Sequence, residues 1–220
     1  AVKAATMLSL ALAALFWVVL HLVVAGPLRP AVAGRLGEVG YSGLFSLLSA
    51  AGLVWLALAY RAAPYEPLWA PAPFWVPAVL VFLSLVLLAC SLGPSNPTQV
   101  GAERLGALPV FGITRITRHP MLWAFALWAL AHLTVNGHWA GGLLFGAILV
   151  TALNGMISID RKRAARLGPA WDDFARRTSR LPFAAILSGR GELKLGELAV
   201  WRLGLGIALY AAALWLHGFL

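Results

Sequence analysis

Charged side chains are scarce in this chain of 220 residues, of which only 11% are Asp, Glu, Lys or Arg. Soluble domains carry about twice that share, so the scarcity excludes an ordinary water-soluble fold. Only 8 residues are acidic, and a lone cysteine, Cys90, excludes an internal disulfide. Hydrophobic residues instead make up 61% of the chain. They fall into runs of roughly 20, the length that crosses a bilayer as a helix.

Six apolar runs predict an all-α, polytopic membrane helix bundle, because backbone groups in lipid must be satisfied within a helix. The predicted spans are residues 4–25, 42–62, 74–92, 120–135, 139–159 and 198–216, in a single membrane domain over 1–220. The cytoplasmic segment 160–195 is basic and places Leu167, Trp171 and Phe174 at helical spacing. We therefore expect it to contain a helix lying in the cytoplasmic interface.

Basic residues outnumber acidic ones and give the chain a formal charge of +9. Apart from Lys3 and Arg61, every lysine and arginine lies on one side of the predicted six-span topology. The positive-inside rule makes that side cytoplasmic and predicts that both termini lie outside the cytoplasm. Topology and contact with anionic lipid account for the charge, so we expect the bilayer as partner and no nucleic acid.

Two histidines lie within predicted spans, where ionisable residues are costly and indicate functional sites. His21 follows Trp17 by four residues and His132 follows Trp128 by four, so each pair shares one helix face. Such a surface suits a flat macrocycle that carries a metal, and neutral imidazole is a usual iron ligand. The alternative is a pair of core histidines under aromatic packing.

The depths of the two histidines differ in this topology. At 1.5 Å per residue, His21 lies roughly 6 Å from the cytoplasmic end of its helix, and His132 about 20 Å from His119. Ligands on opposite faces of one iron lie closer in depth than that. Helix tilt or a shifted boundary can absorb part of the gap. Otherwise His119 or Cys90 becomes the better second ligand.

A basic corner precedes the fourth span. The cytoplasmic end of this span is flanked by Arg115, Arg118 and His119. Arginine guanidinium groups and the N-terminus of a helix both attract anions. Such a corner suits haem propionates, the carboxylate of a nucleoside cofactor or a lipid headgroup. The alternative is that these basic residues only fix the topology, as the positive-inside rule describes. Asp160, at the end of the fifth span, is expected to pair with Arg118 or Arg115.

Several motifs occur in an order that resembles the NnrU family. They are Arg118-His119-Pro120, Trp128 to His132, Ile159 to Arg163, Leu167 to Trp171 and Leu181-Pro182-Phe183. That family is associated with bacterial denitrification and is similar to the plastid 15-cis-zeta-carotene isomerases, which are haem b membrane proteins. The resemblance implies haem b with His21 and His132 as axial ligands, in a multi-pass protein of the bacterial inner membrane. It implies either an isomerase of a lipophilic polyene or a redox or haem accessory to denitrification proteins.

A second, more distant resemblance is to membrane methyltransferases of the isoprenylcysteine carboxyl type. It is carried by Arg118-His119-Pro120, an acidic residue ending the next span, and the segment from Asp160 to Pro182. It implies S-adenosylmethionine as an alternative cofactor, held by Arg118, His119 and that segment. The chain departs from the pattern at Asp160-Arg161, where those enzymes have paired glutamates. Neither resemblance assigns a catalytic residue.

Overall fold

The computed structural model describes residues 2–93, 96–98 and 108–218. In these ranges the chain is helical and contains no strand, only an isolated bridge between Pro67 and His138. The all-α class predicted from the apolar runs is confirmed. Much of the connection from Gly93 to Arg118 lies outside the described residues.

Nine α-helices follow one another in the described ranges. They are α1 (Val2–Val19), α2 (Arg29–Ala62), α3 (Trp75–Ser91), α4 (Ile113–Ile116), α5 (Pro120–Val135), α6 (Trp139–Leu167), α7 (Pro169–Arg177), α8 (Ala184–Leu187) and α9 (Val200–Leu216). A π-helical turn, Leu20–Val24, continues α1, and a short 3-10 turn, Leu195–Glu197, precedes α9.

Within the described part of the chain, three helical stretches are long and apolar enough to cross a membrane: Val2–Val24, Arg29–Ala62 and Trp139–Leu167. The apolar helices α3, α5 and α9 have 16 or 17 residues. That length corresponds to about 25 Å, slightly less than the hydrocarbon core of a bilayer. Large apolar side chains such as Leu47 and Leu58 are exposed on α2, as expected of a surface that contacts lipid.

The second and fifth predicted spans are parts of longer helices. The helix α2 begins at Arg29, with Pro30 in its first turn, and is kinked at Gly37, whose φ of 71° is easily adopted only by glycine. The helix α6 continues past residue 159 to Leu167. A helix in the predicted interfacial segment is present as α7, with Trp171 and Phe174 buried on one face.

The chain divides into two compact units. The first comprises residues 1–77 and 129–155, and the second comprises 78–128 and 156–220. In the first unit, Gly52 of α2 lets the helix approach Phe16 so closely that a Cβ would lie 2.9 Å from the ring. In the second, Gly206 of α9 lies against the backbone of Val86 in α3 in the same way. The prediction of one membrane domain over 1–220 stays a prediction.

Candidate functional site

A buried ionic cluster forms around Asp160 in the second unit. Arg118 donates from Nε to Asp160 Oδ1 at 3.0 Å and from Nη2 to Oδ2 at 2.7 Å. His119 Nε2 lies 2.7 Å from Asp160 Oδ1, and Arg180 Nε lies 3.2 Å from Oδ2. The predicted pairing of Asp160 with Arg118 is therefore present. Arg118 and His119, both from the predicted basic corner, thus bind the same carboxylate, that of Asp160.

Backbone carbonyl groups complete the surroundings of Arg118. Its Nη1 donates to the carbonyl oxygen of Thr178 at 3.3 Å, and its own amide donates to Ser179 O at 3.0 Å. Thr117 Oγ1 and Trp123 Nε1 both donate to the carbonyl oxygen of Arg180 at 2.7 Å. The start of α5 is thereby bound to the segment that follows α7. Several N–H groups of the Arg118 guanidinium therefore already donate to acceptors within the protein.

The imidazole of His119 is 1% exposed. Burial lowers the pKa of His119, although the hydrogen bond to Asp160 opposes that shift. The ring is therefore neutral near pH 7, and Nε2 carries the proton that Asp160 accepts. The other nitrogen, Nδ1, is buried and has no hydrogen-bond partner among the described residues. The ring thus offers one unused lone pair inside the cluster.

Arg115 binds a different carboxylate from Arg118. It donates from Nε to Glu197 Oε2 at 2.7 Å and from Nη2 to Oε1 at 2.8 Å, a bidentate pair. The amide of Gly112 also donates to Oε2, at 2.9 Å. The hydrogen bonds from Arg115 are the main reason why the pKa of Glu197 is lowered to about 2. Both arginine forks that were predicted to hold an external anion therefore bind carboxylates of the chain itself.

The two histidines predicted as metal ligands both lie in the first unit. His21 is half-buried in the π-helical turn after α1, a local geometry that often occurs at functional sites. Its Nδ1 lies 2.9 Å from the carbonyl oxygen of Trp17, and its ring stacks on the Trp17 indole at 4.0 Å between centroids. Phe45 of α2 meets the imidazole edge-on at 5.3 Å.

The hydrogen bond to Trp17 fixes the tautomer of neutral His21. A carbonyl oxygen only accepts, so Nδ1 carries the proton and Nε2 keeps its lone pair. Histidines that bind metals usually have this arrangement, because the second nitrogen donates to a carbonyl or carboxylate and orients the ring. The Trp17 indole is itself fixed, since Nε1 donates to Thr151 Oγ1 of α6 at 3.1 Å. His21 is thus oriented as a metal ligand would be.

His132 packs in a separate aromatic cluster. Its ring stacks on Phe145 at 4.8 Å, and Phe145 in turn meets Tyr60 at 5.9 Å. Tyr60 also stacks on His138 and donates to Asn136 Oδ1 at 2.9 Å. His138, which belongs to this cluster, is 8% exposed.

The helix α6 allows the two predicted ligands to be compared. The Trp17 indole, on which His21 stacks, packs at Thr151, whereas His132 packs at Phe145. These α6 residues are six positions apart, which corresponds to a rise of about 9 Å and to different helix faces. Ligands on opposite sides of one metal lie only about 4 Å apart, twice a metal–nitrogen bond. The packing sites of the two histidines are therefore separated along α6, in agreement with their different predicted depths in the membrane.

The remaining predicted residues lie on α5 and α3. Trp128 is half-buried on α5, and Cys90 is 4% exposed at the end of α3. Among the described residues, no group of three or more His, Cys, Asp or Glu side chains is placed to hold a metal ion.

Sequence reasoning missed Arg180 and Glu197, which complete the two ion-pair sites. The sequence does contain a weak signal for Glu197. The chain has only 8 acidic residues, so each one on the predicted cytoplasmic side is a candidate partner for the basic corner. Arg180 belongs to the segment from Asp160 to Pro182 that carries the methyltransferase resemblance, but that resemblance does not predict an ion pair with Asp160. Its position beside Asp160 depends on how the chain folds back after α7.

Comparisons with known proteins identify the family of this chain. A family model described as "NnrU protein" matches residues 9–220. The chain is similar to "15-cis-zeta-carotene isomerase, chloroplastic" from Zea mays, with 38% identity over 82 residues. That match covers 37% of this chain and 22% of the maize protein. The protein of the same description from Arabidopsis thaliana is 38% identical over 79 residues, 36% of this chain and 22% of the relative. The chain thus matches about a fifth of each relative's length, and no solved structure matches it.

Proposed function

The chain belongs to the NnrU family, and from this membership we propose that it is a haem b membrane protein that isomerises a double bond of a lipophilic polyene. The carotene isomerases to which it is similar supply the reaction class. The observation that supports a haem site is the orientation of His21. Its Nδ1 is bonded to the Trp17 carbonyl, so that Nε2 is left as a potential iron ligand.

The residues around His21 fit a flat, apolar group. Trp17 and Phe45 supply aromatic faces and edges within 4.0 Å and 5.3 Å of the imidazole. Bound haem b would supply a redox-active iron. In this proposal His21 holds the iron, Trp17 orients His21, and Phe45 helps to exclude water. His132 remains a proposed second ligand, which requires the two aromatic clusters to approach one another when haem binds.

The residues proposed for the propionates are Arg115 and Arg118. Each already binds a carboxylate of the chain, Glu197 or Asp160. An entering propionate must therefore displace an internal carboxylate or share the guanidinium. Nδ1 of His119 is buried without a partner among the described residues, and it keeps His119 as an alternative second ligand along with Cys90.

Absorption spectra of the detergent-purified protein test the haem proposal. The oxidised and reduced spectra and the pyridine haemochrome yield should give a b-type haem in the wild type. His21→Ala should lose or change that spectrum. His217→Ala is a matched control, because His217 also has Nδ1 bonded to the carbonyl of the residue four before it, yet it is exposed. A colourless protein from cells supplied with iron and haem precursor would refute the proposal.

Chromatography of a cis-polyene before and after incubation tests the isomerase part. The substrate class is the 15-cis-carotene named by the similar plant proteins. Turnover that requires His21 supports an isomerase. Haem without turnover supports instead the second candidate, a redox or haem accessory that works with denitrification proteins. That candidate follows from the family resemblance, and a redox titration of the haem would characterise it.

A methyltransferase is the alternative function, favoured by one feature of the second unit. Arg118, His119 and Asp160 converge there with the segment that follows α7, as the distant methyltransferase resemblance implies. S-adenosylmethionine binding, measured by calorimetry, should then weaken in His119→Gln. Absence of binding to the wild type would remove this alternative.

We also propose that the protein is multi-pass in the bacterial inner membrane, with both termini outside the cytoplasm. The lysine and arginine bias supports this orientation. A periplasmic reporter fused after residue 220 should be active, and a cytoplasmic reporter at the same place should be inactive. The reverse result would contradict the proposed orientation.

A further inference from the structure

A cavity of about 190 Å³ lies in the second unit, between the end of α3 and the start of α9. It is separate from the Asp160 cluster and was not anticipated from the sequence. The lining residues that matter here are Cys90, Gly93, Asn96, Glu197, Ala199 and Arg202. Both helices are apolar, so their ends, and the cavity with them, lie at the level where a membrane meets water.

Asn96 brings an unused donor to this cavity. It is 4% exposed, and its Oδ1 accepts from the amide of Thr98 at 3.1 Å and from Thr98 Oγ1 at 2.8 Å. A backbone amide can only donate, so the oxygen end of the Asn96 amide is fixed. The nitrogen end, Nδ2, is buried without a hydrogen-bond partner among the described residues. Buried donors of this kind are rare, because leaving one unpaired costs its desolvation energy.

Arg202 brings a positive charge to the same cavity. Its Nε is buried and also lacks a partner within the described ranges. The guanidinium lies against Gly93, where an added Cβ would come within 2.7 Å of Nη1. The side chain also stacks over the Trp201 ring at 5.1 Å. Unlike Arg115 and Arg118, Arg202 forms no ion pair with a described carboxylate that would occupy its fork.

The first turn of α9 adds further attraction for an anion. Ala199, which lines the cavity, is the N-cap of this 17-residue helix and offers no side-chain cap. The first N–H groups of a helix lack intrahelical partners and carry a partial positive charge. Glu197 is the acidic residue of the lining, and both of its oxygens are bonded by Arg115 or Gly112. Its charge is thereby compensated.

From these three groups of donors, we propose that the cavity binds a phosphate group through Arg202 and Asn96. The volume corresponds to about six waters at roughly 30 Å³ each. It is smaller than the roughly 300 Å³ at which sites for whole drug-sized ligands begin. The cavity therefore takes a headgroup or a free anion and not a complete cofactor. The proposal is independent of haem binding.

Two probes distinguish the sources of such an anion. Inorganic phosphate is titrated into delipidated, detergent-purified protein by calorimetry. Phosphatidic acid is titrated in parallel and followed by native mass spectrometry, with phosphatidylcholine as the zwitterionic lipid control. Saturable binding of phosphate indicates a free anion, and binding of phosphatidic acid alone indicates a lipid headgroup. If neither probe binds saturably to the wild type, the proposal is overturned.

Variants tie the binding to the cavity. Arg202→Gln should weaken binding about 10- to 100-fold, the range for hydrogen bonds to a charged group. Asn96→Ala should weaken it roughly 2- to 10-fold, as for a neutral donor. Gly93→Ala keeps every charge but displaces the guanidinium of Arg202, so it should also weaken binding. This variant replaces Arg202→Gln as the test if Arg202→Gln fails to fold. Arg161→Gln removes the same charge from an exposed site outside the cavity lining and should bind as the wild type does. Equal affinities in all four variants would overturn the assignment.

Discussion

His119 and His21 differ in the ring nitrogen that each one leaves unused. His119 binds Asp160 through Nε2 and keeps Nδ1 buried within the ionic cluster. His21 binds the Trp17 carbonyl through Nδ1 and keeps Nε2, at the tip of a half-buried ring among aromatic side chains. Nε2 projects furthest from the backbone and reaches a ligand more easily. The difference indicates that His119 mainly stabilises the protein, whereas His21 is available for binding.

Removal of the carboxylate should produce the largest effect. In Asp160→Asn, the mostly buried guanidinium of Arg118 loses its charged partner, and an uncompensated buried charge costs about 3–5 kcal/mol. We expect that decrease in the free energy of unfolding, measured by denaturant titration in detergent. The matched change Asp173→Asn affects only exposed ion pairs and should cost less than about 1 kcal/mol. Similar losses in the two variants would refute the structural role of the cluster.

A pH dependence from His119 should be the next largest effect. Burial lowers the pKa of His119 in the folded protein, so below its ordinary value of 6.5 the unfolded chain binds the proton more readily. Stability is therefore lost as the pH falls through 6.5 towards the folded pKa, by at most about 1.4 kcal/mol per pH unit. The Tm should fall between pH 7.5 and 5.5.

The control for this pH effect is His119→Gln, which removes the titrating group from both states. Its Tm should fall less over the same interval. If the wild type and His119→Gln have the same slope, then other groups cause the acid sensitivity.

The aromatic site should show the smallest effect. Trp17→Phe keeps a ring beside His21 but removes the hydrogen bond to Thr151. Hydrogen bonds between membrane helices average about 0.6 kcal/mol, so the stability loss should be of that order. Thr151→Val should cost a similar amount, and the double variant should cost little more than either single variant. Fully additive losses would show that the side chains of Trp17 and Thr151 do not interact.

Much of the Asp160 cluster could be predicted from the sequence, because Arg118 and His119 are adjacent and Asp160 is the acidic residue at the end of the next long helix. The bidentate partner of Arg115 could not be predicted in the same way. Glu197 lies 82 residues away in sequence, and no periodicity links the two. Likewise, Trp17 and His21 were correctly placed on one helix face, but the π-helical turn that carries His21 has no reliable signal in residue types.

The sequence by itself determined the helical, membrane-type character and the family of this protein. Long apolar runs leave a chain in lipid no other way to satisfy its backbone, and ordered motifs identify a family without any knowledge of contacts. Only the tertiary structure decided which charged groups are paired. Arg115 and Arg118 have carboxylate partners, while Arg202 and Asn96 keep buried donors beside a cavity. These pairings depend on which helix ends meet, and local sequence patterns do not encode those distances.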